Sequence, residues 1–233
     1  GVLEWNPVGL ENDVGRFDLN TQTRRRHVEL PVLRQALRAT DDDLQFVVVF
    51  LLLKWGVRRG ELYNLDLRDV HLDHPVARAM PSPRTELADR PDAVFVDSEV
   101  SQGAVYNGER RAASNKREAK TVVPIDRETK DVLVWWIGRL PPSGSPAQPL
   151  LRLCGDGARN VGGRPAPGTV SETVTAWARG HGLNPKGGDR EESVTAHWCR
   201  HWFTTMLRDR VSRVDVEADT VSEDVTSYVK GLR

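Results

Sequence analysis

Five side chains in four separate segments are of types that could act on a phosphate. Arg58 lies in Gly56-Val57-Arg58-Arg59-Gly60-Glu61-Leu62, and Lys116 in Asn115-Lys116-Arg117-Glu118-Ala119-Lys120. His197 and Arg200 share the run His197-Trp198-Cys199-Arg200-His201, and Tyr228 stands near the last residue. Guanidinium groups are always charged, planar and able to bind two oxygens at once, so they match an anionic oxygen cluster well. A lysine can donate a proton, an imidazole can shuttle one, and a tyrosine hydroxyl can attack and form a covalent link. Lysine is scarce here, with six among 33 basic residues, so one at a chemically useful position is a rarer event than usual.

Taken singly, each has an ordinary explanation. A lone arginine is most often a surface ion pair. Glu61 suits a helix cap better than chemistry. Lys116 runs with Arg110, Arg111, Arg117 and Lys120, which reads as a solvated basic hairpin touching DNA backbone. Lys120 competes with Lys116 for any acid role. His197 and His201 have metal-ligand spacing, but residue 198 is Trp and no third ligand is near, so no metal is expected. His201 then reads as a packed residue, Cys199 as a small buried one, and Trp198 and Trp202 as inward-facing. His71 and His74 flank a turn and are expected to be exposed. Tyr228 by itself is a tail tyrosine.

The order of these segments is what singles them out. Together they resemble the tyrosine recombinase (phage integrase) family, and in texture the integrase-like proteins of halophilic archaea most closely. The family pattern is Gly-x-Arg-x-x-Glu-Leu, a hairpin Lys eight residues before a Pro, His-x-x-Arg, then Tyr. Here Arg58 is two residues after Gly56, and Lys116 is eight before Pro124. The resemblance implies an enzyme of site-specific DNA recombination that cuts and rejoins strands by transesterification. Arg58 and Arg200 would clamp the phosphate, and Lys116 would protonate the leaving 5′-oxygen. His197 would assist, and Tyr228 would form a covalent 3′-phosphotyrosyl bond. Arg59, Arg110, Arg111, Arg117, Lys120 and His201 are the DNA contacts it implies. It further implies double-stranded DNA as partner, assembly as a homo-oligomer on that DNA, and no cofactor. The C-terminus departs from the pattern. Residues 208–227 hold no Gly, His or Trp, where the family places a Gly-His element and a third His or Trp, and five residues follow Tyr228. Two rival readings follow: a catalytically inactive DNA-binding remnant of an integrase, and a type IB topoisomerase-like enzyme, which shares the chemistry.

Such residues need elements to bring them together. Pro31 suits a helix start, and Val32, Leu33, Ala36 and Leu37 have helical spacing. Asp41, Asp42 and Asp43 offer cap and first-turn charges for a helix over about 42–55, apolar nearly all round and therefore buried. Gly56 ends it, and a further helix starts near Arg59. Residues 66–70, 93–96 and 121–125 are strand-like, with an excursion around 74–92, and Pro124 demotes the last to an edge or strand end. Helices are expected over 131–140, 169–180 and 196–210, with loops at 141–149 and 184–192. The fold class is α+β, mainly helical with a small antiparallel sheet. The resemblance divides the chain into 1–30, the end of a core-binding-domain helix and linker; 31–210, the catalytic domain; and 211–233, a divergent or truncated tail.

Composition excludes little more. The 233 residues carry 33 acidic and 33 basic side chains, so a nucleic-acid face must arise from uneven placement. Cys154 and Cys199 give no disulfide framework. The longest apolar run, Phe46 to Leu53, is far short of the ~20 residues of a membrane span. No signal-peptide pattern is visible. A cytoplasmic protein with no membrane association is expected.

Overall fold

The computed structural model describes residues 27–154, 160–184 and 193–217, the last nine of these as helix backbone only. Its centre is helix α2, Asp43–Trp55, preceded by α1, Leu30–Arg38. The Asp42 side chain accepts the Gln45 N–H at 2.6 Å and so caps the start of α2. Val47 through Leu53 and Trp55 are all buried, as expected of a helix without a polar face. Gly56 terminates it in the left-handed region, φ 58°, with its N–H returned to the Leu52 carbonyl at 3.1 Å.

From that stop the chain passes directly into α3, Arg59–Asn64. A three-stranded antiparallel sheet follows in the order β1-β2-β5, with β1 Val70–His71, β2 Ala93–Val96 and β5 Thr121–Pro124. Val94 pairs with Val70 on one side and Val123 on the other, and Pro124 closes an edge strand. Between β2 and β5 lies a two-stranded ribbon, β3 Val105–Tyr106 and β4 Glu109–Arg110, turned by Asn107 and Gly108 at positive φ. Helices α4 (Arg127–Ile137), α5 (Thr169–Gly180) and α6 (Ala196–Glu217) complete the order. Helices α4, α5 and α6 all pack on α2, burying Leu133, Trp136, Val174, Trp177, Trp198 and Cys199 with it. The indole N–H groups of Trp136 and Trp177 donate to the Leu150 carbonyl and the Thr40 hydroxyl, so neither is left unpaired in the core.

The α+β, mainly helical class holds, and three boundaries are corrected. Residues 66–69 are not strand: Leu67–Asp69 is a 3₁₀ turn. The Asp69 carboxylate reaches back to the Asp66 N–H at 2.8 Å and wraps the backbone tightly. Helix α4 begins at Arg127 rather than 131, because Asp126 caps the Thr129 N–H at 2.8 Å. Helix α6 runs past 210 to Glu217, in a stretch without Gly or Pro. His71 is half-buried, its Nδ1 against the Leu87 carbonyl, whereas His74 is exposed and its ring caps the Val76 N–H. The expected loop at 184–192 lies almost wholly outside the described residues. Among the described residues no helix is long and apolar enough to cross a membrane.

Candidate active site

The turn Gly56-Val57-Arg58 is the seat of the site. Because α2 must stop in a left-handed residue and α3 must start three residues later, Val57 is driven into the core and Arg58 outward. Glu61 lies fully buried under this turn. Its Oε2 accepts the Arg58 backbone N–H at 2.8 Å, and its Oε1 accepts Arg58 Nη1 at 3.2 Å. Burial alone would raise the Glu61 carboxyl. The Arg117 guanidinium, with help from the Arg58 backbone and side chain, outweighs it and holds the group below the usual carboxylate range.

Helix α6 supplies the second basic group. His197 and Arg200 are three residues apart on it and share a face. Arg200 is buried, and its Nη1 donates to the Gly56 carbonyl at 2.7 Å. The α2 stop that aims Arg58 thus also receives Arg200. His197 is exposed, and its ring stands perpendicular to that of His201, with Nε2 atoms 2.9 Å apart.

The third contribution comes from the segment between β4 and β5. It is sewn to α3: Asn64 Nδ2 donates to the Ala113 carbonyl at 3.0 Å and to Asn115 Oδ1 at 2.9 Å. A Cβ on Gly60 would sit 2.7 Å from the Ser114 carbonyl oxygen, so only glycine permits this approach. The Lys116 carbonyl accepts Arg58 Nη1. The Lys116 side chain is exposed and makes no ion pair among the described residues.

Arg58, Arg59, Lys116, His197 and Arg200 line one cleft of about 430 Å³, together with Tyr63, Gln102, Ser114 and Pro167. Among the described residues no acidic side chain lines it. Arg59 reaches across to the Ser171 hydroxyl at 3.0 Å. Tyr63, Gln102 and Ser114 carried no motif in the sequence. Burial pushes the Tyr63 hydroxyl up, which keeps it protonated.

Other expectations change. Arg111 is fully buried in an ion pair with Asp66, and Arg117 is buried against Glu61, so neither side chain is solvated. Each neutralises a buried carboxylate that would otherwise be costly. Arg110 is exposed and donates to the Gly103 carbonyl at 2.8 Å; Lys120 is exposed and pairs with Glu99 at 3.1 Å; neither is among the cleft residues. Lys116, expected on a hairpin, lies in irregular chain between β4 and β5. Tyr228 lies outside the described residues. No group of three or more metal-ligating side chains occurs among the described residues.

No protein-family model matches the sequence, and no curated protein sequence is similar to it. Solved structures do match. XerA recombinase is 20% identical with a TM-score of 0.51, over 78% of this chain and 50% of its own. A lambda integrase dimer bound to a COC′ core site is 14% identical with a TM-score of 0.51, over 81% of this chain and 54% of its own. The Tn1549 transposon integrase in complex with transposon right end DNA is 13% identical with a TM-score of 0.52, over 88% of this chain and 57% of its own. The chain spans about half the length of each, between 50% and 57%. With helices packed around α2 and a small antiparallel sheet, the chain shares the fold of these recombinase and integrase structures.

Proposed function

We propose that this chain is the catalytic part of a site-specific DNA recombinase that cleaves and rejoins strands through a 3′-phosphotyrosyl intermediate. The observation that supports it is the lining of one cleft by Arg58, Lys116, His197 and Arg200, from three distant segments, with no acid among its described lining residues. Transesterification at a DNA phosphodiester passes through five-coordinate phosphorus with extra negative charge on the non-bridging oxygens. Arg58 and Arg200 bind those oxygens, and both are held in advance, by Glu61 and by the Gly56 carbonyl respectively. Preorganised donors of this kind contribute about 3 kcal/mol each to lowering a barrier. The Tyr228 oxygen attacks phosphorus and loses its proton, and His197 accepts that proton or bonds a phosphate oxygen. The bond from phosphorus to the 5′-oxygen breaks, and the Lys116 ammonium protonates that oxygen and becomes neutral. Reversal by an incoming 5′-hydroxyl reseals the strand. One phosphoester is exchanged for another, so no external energy source is required.

The test is a nicked duplex that loses its 5′-hydroxyl product by diffusion and so traps the covalent adduct. The adduct is expected on a denaturing gel with the wild-type chain and absent with Tyr228→Phe. Arg58→Ala and Arg200→Ala should each slow its formation by roughly 10²- to 10³-fold. DNA binding without adduct, in protein shown by circular dichroism to be folded, overturns the enzymatic reading in favour of a non-catalytic DNA-binding domain.

A further inference from the structure

Lys116 and Arg117 are adjacent in sequence and opposite in environment. Lys116 is exposed at the cleft, while the Arg117 side chain is 3% exposed. Arg117 Nε donates to Glu61 Oε1 at 3.3 Å and its Nη2 to Glu61 Oε2 at 3.0 Å, a two-point contact to a carboxylate that is itself fully buried. Glu61 is the same group that aims Arg58, and Arg58 in turn donates to the Lys116 carbonyl. Main chain at 116 and side chain at 117 are therefore fastened to one α3 carboxylate and the arginine it orients.

We propose that Arg117 is a positioning residue: its fork on Glu61 fixes where the Lys116 ammonium stands in the cleft. The inference rests on the recombinase reading and deepens it. A lysine is a point charge on a flexible stem, and proton donation needs it within hydrogen-bond reach of the leaving oxygen. The 24 residues from 97 to 120 contain only the short β3–β4 ribbon as regular structure. Such a connection does not by itself hold a lysine in place. A planar guanidinium on both oxygens of a carboxylate is directional in a way that a lysine in its place would not be. The basic run at 116–120 thus divides by function, with Lys116 turned to the DNA phosphate and Arg117 turned inward to hold it.

The experiment compares single-turnover adduct formation on two nicked duplexes, one with oxygen and one with sulfur at the bridging 5′ position. Cleavage of the phosphorus–sulfur bond releases a thiolate, which needs no proton. On the oxygen duplex Lys116→Ala and Arg117→Ala should both be slow, Arg117→Ala by about 10²-fold. On the sulfur duplex both should return to within a few-fold of wild type, while Arg58→Ala stays slow on both. Arg117→Lys should recover part of the loss on the oxygen duplex. If Arg117→Ala fails to fold, Arg117→Gln, which can still donate a hydrogen bond to Glu61 and leaves Arg58 its carboxylate, is measured in its place. An Arg117 variant equally slow on both duplexes, or as fast as wild type on the oxygen duplex, overturns the inference and leaves the recombinase reading standing. A Lys116→Ala variant that sulfur does not rescue overturns the acid assignment and the inference with it. A wild-type chain that cleaves neither duplex overturns the recombinase reading itself.

Discussion

Glu61 carries more of the site than any residue that touches the cleft. It is wholly buried, yet it takes hydrogen bonds from the Arg58 backbone, the Arg58 side chain and the Arg117 fork. A buried carboxylate is tolerated only when its partners replace the water it has lost. Glu61→Gln keeps the shape and removes the charge, leaving Arg117 buried without its counter-ion. The expected loss is about 3 kcal/mol of folding stability at pH 7, measured by urea denaturation. The pH dependence has a defined sign. The folded carboxyl is held below its ordinary value by Arg117 and Arg58 against the opposing effect of burial. Its contribution is therefore present above the unfolded value, about 4.3, and is lost as pH falls through the folded value. Glutamine does not titrate, so the gap between the two proteins should be widest at neutral pH and narrow below about pH 4. A gap that stays constant down to pH 3 would mean that the folded carboxyl is not held below its ordinary value.

At the scale of elements, the site depends on how α2 ends. Gly56 sits at φ +58°, and a Cβ there would fall 2.2 Å from Phe203 Cδ1 on α6. Backbone conformation and helix packing thus demand glycine at the same place. Gly103 separates the two demands, because it has φ +85° and open space around it. Alanine at Gly103 should cost about 1 kcal/mol, the left-handed penalty alone. Alanine at Gly56 should cost about 3 kcal/mol, since overpacking against Phe203 adds to that penalty. Equal losses in urea denaturation would show that α6 is not seated on the α2 stop. This junction was legible in the sequence, since an apolar helix, a glycine stop and Arg58 with Glu61 three residues on form a contiguous pattern. The β3–β4 ribbon was not, because two-residue strands have no periodicity to read. Its one signal, Asn107-Gly108, is the turn pair that favours a tight hairpin. The start of α4 was missed because the apolar residues begin later than the Asp126 cap. The basic run from Arg110 to Lys120 misled for a different reason. The acids that bury Arg111 and Arg117 are 45 and 56 residues away, beyond any local reading of charge.

For the whole molecule, a net charge of zero has to be reconciled with the polyanionic partner that the proposed function requires. The fold does this by sorting. Three acids are drawn inward: Asp66 is buried between Arg111 and Arg164, Asp69 pairs with Arg84, and Glu61 lies beneath the turn at 58. The cleft wall keeps Arg58, Arg59, Lys116 and Arg200 with no acid among the described residues that line it. Local field, rather than total charge, then governs attraction of a phosphate backbone. The His-x-x-Arg and Gly-x-Arg segments could be matched in sequence to a common chemistry, but this inward sorting of acids could not, because it exists only once distant segments pack. The consequence is measurable. Binding of this chain to a short duplex should weaken linearly in log K against log salt, with each phosphate-neutralising arginine contributing about 0.9 to the slope. Arg58→Ala and Arg200→Ala should each flatten the slope by about 1. Lys120→Ala, already paired with Glu99 and away from the cleft, should leave it unchanged. If Lys120→Ala flattens the slope and the two arginine variants do not, the DNA-binding face is the outer surface of the β4–β5 connection and not the cleft.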